Sequence, residues 1–171
     1  MHMYRTRKIN LAEPDRIRIQ TPVGEMIIEE RGGAVTALYA AGETDAAVPG
    51  HAAQSSVLTI AAREIAEYFN GTRTSFSFAM RPEGTPFQQK VWQALLRIPY
   101  GETRTYGEIA LEAGNPGAAR AVGGACNKNP IWIAVPCHRV LGSNGSLTGY
   151  AYGTGMKQRL LTLEKDHKPE I

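Results

Sequence analysis

The run Pro136-Cys137-His138-Arg139-Val140 sets a thiol, an imidazole and a guanidinium on three consecutive residues. A cysteine attacks only as its thiolate, and at an ordinary pKa of about 8.5 a few per cent is ionised at neutral pH. Neighbouring bases or positive groups raise that fraction. The proline ahead of the thiol fixes one backbone angle and helps aim the sulfur. Upstream, Ile131-Trp132-Ile133-Ala134-Val135 reads as an apolar strand leading into the cysteine. Taken alone, these residues suit an inert, buried cysteine equally well, the usual fate of a free one.

Helices must hold that motif. Thr85-Pro86-Phe87-Gln88 combines an N-cap threonine, proline at the first helical position and glutamine at the box position, and Phe87, Val91 and Leu95 continue a core-facing stripe. Trp92 falls in the same core. Thr105-Tyr106-Gly107-Glu108 is a second capping box, starting a short helix through Ile109, Ala110 and Ala113 that Gly114 ends. Asn115-Pro116 is expected to start the next helix at once. Two short helices joined by a tight turn containing glycine read as a helix-turn-helix. The second is nearly bare, with Ala118, Ala119, Ala121, Gly123, Gly124 and Ala125 around Arg120. Adjacent glycines cost a helix roughly 1 kcal/mol each relative to alanine, but they allow very close approach to another surface. Major-groove readers carry several hydrogen-bonding side chains. This helix has too few, and fits a narrower groove approached independently of sequence. A last helical pattern carries Leu160, Leu161, Leu163 and Glu164.

The blocks Arg120-Ala121-Val122-Gly123, Asn129-Pro130-Ile131, Pro136 to Val140 and Gly142 to Tyr150 follow in order between about Thr85 and Glu164. Together they resemble the O6-alkylguanine-DNA alkyltransferases, or methylated-DNA–protein-cysteine methyltransferases. The resemblance implies direct-reversal DNA repair without a cofactor. Duplex DNA would be bound in the minor groove, O6-alkylguanine flipped out (O4-alkylthymine is a second candidate), and the alkyl group moved to Cys137. His138 would take the thiol proton through a water, and Glu164 would orient the imidazole. Tyr106 would crowd the phosphate and donate to the base N3. Arg120 would replace the extruded base, with Ala121 and Gly123 on the DNA-binding face. Asn129 would tie the helix-turn-helix to the strand before the cysteine. Val140, Ser143, Tyr150 and Ala151 would form the substrate pocket; Ala151 departs from members with serine there, which puts one hydrogen bond to O6 in doubt. Arg139 reads as a structural ion pair or a phosphate contact. A thioether product has no visible second nucleophile to clear it, so one turnover per molecule is expected. Carbon added to a packed site typically costs about 1–3 kcal/mol, so the alkylated protein is expected to be less stable.

The N-terminal part reads as strands at Arg16–Gln20, Glu25–Glu29 and Val35–Tyr39, then a helix with Val57, Ile60, Ala61, Ile65 and Tyr68 on one stripe and Asn70-Gly71 as its stop. Thr74–Phe78 reads as a further short strand. His51 and the carboxylates have no partners at useful spacing and read as solvated surface. The expected class is therefore α/β (α+β). A small antiparallel sheet with a helix occupies 1–80, a linker 81–84, and a mostly helical DNA-binding and alkyl-acceptor domain 85–171. Residues 1–80 carry eight Lys/Arg against nine Asp/Glu, and 81–171 eleven against seven, so the basic excess sits with the cysteine motif. That bias suits a polyanion.

Two cysteines, Cys126 and Cys137, imply no disulfide framework, and no apolar run is long enough to span a membrane. A cytoplasmic monomer, with room to cluster on DNA, is expected. Three rivals stand beside this reading. Zinc bound by Cys126, Cys137 and His138 matches no known spacing, so no metal is expected. A non-catalytic, lesion-binding alkyltransferase-like protein is the alternative function, but such proteins lack the motif cysteine. A cysteine hydrolase would leave the helix-turn-helix unused.

Overall fold

The computed structural model describes residues 13–50 and 55–170; His51 lies outside them. Strands β1 (Asp15–Thr21), β2 (Gly24–Arg31) and β3 (Ala34–Ala40) form an antiparallel sheet in the order β1-β2-β3. Gly32 and Gly33 make the second hairpin turn, both at positive φ. Helix α1 (Ser56–Phe69) is capped by the Ser55 side chain accepting from the Leu58 N–H. It ends at Asn70-Gly71, as its spacing predicts. Gly71 has φ +73°, and a Cβ there would collide with the His167 ring, so turn and packing both demand glycine.

Helix α2 (Pro86–Leu96) carries the expected capping box of Thr85 and Gln88, and α3 (Tyr106–Glu112) that of Thr105 and Glu108. Helices α4 (Ala119–Asn127) and α5 (Thr154–Asp166) follow. Two short strands, β4 (Arg104–Thr105) and β5 (Val140–Leu141), pair in parallel. They tie the start of α3 to the segment just after the cysteine motif. One hydrophobic core runs from Ile17 and Met26 through Leu58 and Tyr68 to Trp92, Ile109, Trp132 and Leu160. Each large aliphatic side chain buried in it stabilises the fold by roughly 1.5–3 kcal/mol. No helix of the described residues is long and apolar enough to cross a membrane.

Four local expectations need correction. Thr74–Phe78 is not a strand, because its polar groups go elsewhere: the Ser77 N–H and hydroxyl both donate to Glu64, which also pairs with Arg73 at 3.4 Å. Glu64 is thus buried rather than solvated, and Glu30 and Asp45 are buried too. Helix α4 begins at Ala119, not at Asn115-Pro116, since Gly117 takes φ +88° and delays it. Finally, Ile131–Val135 is a tight turn rather than a strand. Ala134 N–H donates to Trp132 O at 2.8 Å and Val135 N–H to Ile131 O at 3.0 Å. Only a single parallel bridge, Leu38 to Ile131, joins this run to β3. Ile133 sits at φ +70°, a strained conformation for a β-branched residue. Its side chain is buried, and that burial holds it there.

Candidate active site

The turn leads through Pro136 into a single 3-10 turn, Cys137–Arg139, whose three side chains are all buried. Asn129, just beyond α4, clamps the approach. Its amide nitrogen donates to Val135 O at 2.7 Å and to Cys137 Sγ at 3.3 Å, while its oxygen accepts from the Ile131 N–H at 3.0 Å. Asn129 thus joins the end of α4 to the turn before the cysteine, and it touches the sulfur as well. Burial pushes the Cys137 thiol up; the Asn129 hydrogen bond and the nearby Lys157 charge pull the other way and do not prevail. The neighbouring groups thus do not make a resting thiolate here. A base must act during the reaction.

His138 and Glu164 are fully buried, with Nε2 to Oε1 at 2.6 Å. Burial lowers the His138 pKa, against the hydrogen bond and charge of Glu164, so the imidazole is neutral. With Nε2–H donated to the carboxylate, Nδ1 is the free acceptor; it is buried and bonded to no protein group among the described residues. Glu164 collects five hydrogen bonds. Oε1 accepts from His138, Tyr68 (2.8 Å) and Arg139 Nη2 (3.0 Å); Oε2 accepts from Arg139 Nε (2.8 Å) and the Gly101 N–H (3.2 Å). Burial alone would raise its pKa, but the bonds from His138 and Arg139 outweigh it and hold the carboxyl well below the usual range. Arg139 also donates to Ile98 O at 2.7 Å. Of the two readings open to it, the structural ion pair is the one its contacts with Glu164 match.

Tyr106 opens α3, and its hydroxyl donates to Thr148 O at 3.1 Å. Burial, with Cys126 and Cys137 near, pushes its pKa up to about 12, so it is a neutral donor. Fully buried Lys157, on α5, lies 3.5 Å from that hydroxyl and over the rings of Tyr106 and Tyr150, at 5.6 and 5.7 Å. No sequence pattern marks Lys157, which takes an ordinary helical position four residues before Leu161. Tyr150 accepts from Trp132 Nε1, and Trp132 in turn stacks on Tyr152 with ring centroids 3.8 Å apart. This aromatic wall also has no local signal, because its members come from two loops.

Helix α4 presents Arg120, Ala121, Gly124 and Asn127 outward. Gly123, expected on the same face, is half-buried beside them: a Cβ there would touch the Tyr106 ring at 3.9 Å, whereas one on Gly124 would meet nothing. A hollow of about 390 Å³ lies between α4 and the Thr148-Gly149 backbone, floored by Tyr106, within the usual range for small-molecule sites, roughly 300–1,000 Å³. Val140 is buried in β5. Ser143 and Ala151 are exposed on the loop between β5 and α5, and among the described residues the Ser143 side chain makes no hydrogen bond. The structure thus gathers Cys137, His138, Glu164, Asn129, Tyr106 and Tyr150, sets Arg120 and Ala121 on an outer face, and leaves Ser143 and Ala151 at the rim. Cys126 is free and buried on α4.

Residues 86–166 match the family profile described as 6-O-methylguanine DNA methyltransferase, DNA binding domain. A methylated-DNA–protein-cysteine methyltransferase of Methanosarcina acetivorans is 62% identical over 104 residues, 61% of this chain and 67% of that protein. One from Mycobacterium leprae is 47% identical over 148 residues, covering 86% of this chain and 90% of its own. The crystal structure of Mycobacterium tuberculosis OGT in complex with DNA superposes with a TM-score of 0.78 at 45% identity, over 90% of this chain and 94% of that one.

Proposed function

Because the chain belongs to the methylated-DNA–protein-cysteine methyltransferases, we propose that it repairs duplex DNA by moving the alkyl group of O6-alkylguanine onto Cys137, once per molecule. The observation that carries this reading is the buried His138–Glu164 pair at 2.6 Å, in which a neutral imidazole, next in sequence to a buried and protonated Cys137, keeps one nitrogen without a protein partner among the described residues.

The alkylated base must leave the stack before sulfur can reach it, at a cost of a few kcal/mol. Helix α4 and α3 act as a helix-turn-helix laid in the minor groove. The outward Ala121 and Gly124 permit close approach, and Arg120 fills the gap left by the flipped base. The base then enters by the hollow over Tyr106, between α4 and the Thr148-Gly149 segment. Nδ1 of His138 takes the thiol proton through a bridging water, and Glu164 stabilises the imidazolium that forms. Sulfur attacks the alkyl carbon in line; the S–C bond forms, the C–O6 bond breaks, and its electron pair stays with the base. The Tyr106 hydroxyl donates to N3 as that charge develops, and the Lys157 ammonium, facing the hydroxyl, favours the shift. The thioether does not exchange as a disulfide would. Residues 1–80 act as the support, 81–84 as the linker and 85–171 as the working half.

The test is a titration of the protein against excess duplex bearing one O6-methylguanine. Repair is expected to stop at one lesion per protein. Continued turnover would overturn the reading.

A further inference from the structure

Glu164 receives a hydrogen bond from outside the working half. We infer that Tyr68, on helix α1, is a positioning residue of the alkyl-acceptor site, because its hydroxyl donates at 2.8 Å to the same carboxylate oxygen that accepts from His138 Nε2. The inference rests on the reading of Cys137, His138 and Glu164 given above.

Tyr68 belongs to the apolar stripe of α1, and its ring is held edge-on by Phe69 and Tyr100, at centroid distances of 5.4 and 6.1 Å. The ring needs no hydroxyl for that packing. The hydroxyl nevertheless sits in the buried core, 96 residues from its partner in sequence. Burial and the facing carboxylate push its pKa far up, so it remains a donor at every working pH. The groups facing Glu164 are His138 and Arg139 from the 3-10 turn, Tyr68 from α1, and Tyr100 with the Gly101 N–H from the segment before β4. Lys157, on Glu164's own helix, acts on His138.

A carboxylate oxygen shared among three donors, here His138, Tyr68 and Arg139 Nη2, is a weaker acceptor for each. Tyr68 thereby limits how strongly Glu164 stabilises the imidazolium, and it fixes the carboxylate so that His138 Nδ1 keeps its aim. Remove the hydroxyl, and Oε1 binds Nε2–H more strongly. The His138 pKa then rises, and the acid limb of the reaction moves to higher pH while the aim loosens.

The experiment uses the full chain and O6-benzylguanine as the free base, with single-turnover rates read by intact mass from pH 5 to 9. Wild type, Tyr68→Phe, Glu164→Gln and the double variant are compared. Tyr68→Phe is expected to lower the plateau roughly 3- to 10-fold, the scale of one ordinary net hydrogen bond, and to shift the acid limb upward. In the Glu164→Gln background the same substitution is expected to change the rate less than about twofold, as residues acting through one another do. Site-specific 3-fluorotyrosine at position 68, a stronger donor, is expected to shift the limb the other way, and it covers a Tyr68→Phe protein that does not fold. An unchanged profile, a slower rate with an unmoved limb, or the same shift in the Gln background would overturn the inference alone. Failure of the wild type to gain a benzyl group would overturn the underlying reading as well.

Discussion

Burial sets the resting state of Cys137, and the residues around it divide the work of activating it. The thiol is held protonated by the apolar turn before it, so its reactivity appears only when His138 can take the proton. Among the described residues, Asn129 is the one side chain donating to the sulfur. Asn129→Ala would strip that donor and orphan the buried Ile131 N–H, while Val135 O would keep only the Cys137 N–H at 2.9 Å. A loss of about 1–3 kcal/mol in a urea melt is expected for such orphaned buried groups, together with slower alkylation of Cys137 by a small haloacetamide. Equal thiol reactivity in both proteins would show that the contact does not tune the sulfur. Lys157 and Tyr68 were illegible in the sequence for one physical reason: each takes a routine helical position, and only the tertiary fold turns its polar end toward the site.

Helix α4 is the element most exposed to test. Its glycines are not equivalent, for Gly123 meets Tyr106 and Gly124 faces open space. Gly124→Leu is expected to raise stability by up to about 1 kcal/mol through helix propensity, and to slow reaction with alkylated duplex at least about tenfold relative to free O6-benzylguanine, since side chains at a groove contact block approach. Duplex reaction that keeps pace would remove α4 from the interface. The capped elements were legible because their signals are local. Thr85 with Gln88, Thr105 with Glu108 and Asn70-Gly71 carry their own start and stop chemistry within four residues. Ile131–Val135 misled for the opposite reason. Five apolar residues in a row fit a buried strand, but a buried turn satisfied by Asn129 is apolar too. The short pair β4 and β5 has no pattern of its own, yet it brings Tyr106 beside the cysteine turn.

Across the whole molecule, the N-terminal sheet and α1 share one core with the working half and reach the site through Leu38 and Tyr68. The charges buried at that junction make the fold acid-sensitive. His138 is held below its ordinary pKa of 6.5, and Glu164 below its ordinary 4.5. For both groups the unfolded chain binds protons more readily, so their contribution to stability is complete above those values and is lost as pH falls through the folded-state values. Urea melts are expected to show a plateau above about pH 7, a decline below about 6.5 and a steeper one below about 4.5. Constant stability from pH 8 to 4 would mean that the Glu164 network does not hold these protonation states. The basic excess of residues 81–171 sits in the half that meets DNA, as a polyanionic partner requires.

Peptide mapping of protein exposed to duplex carrying O6-methylguanine tests the central claim most directly. One methyl thioether on Cys137, with Cys126 unmodified and a Cys137→Ser protein that leaves the lesion in place, is the expected result. A methyl group on Cys126, or lesion removal by Cys137→Ser, would contradict it.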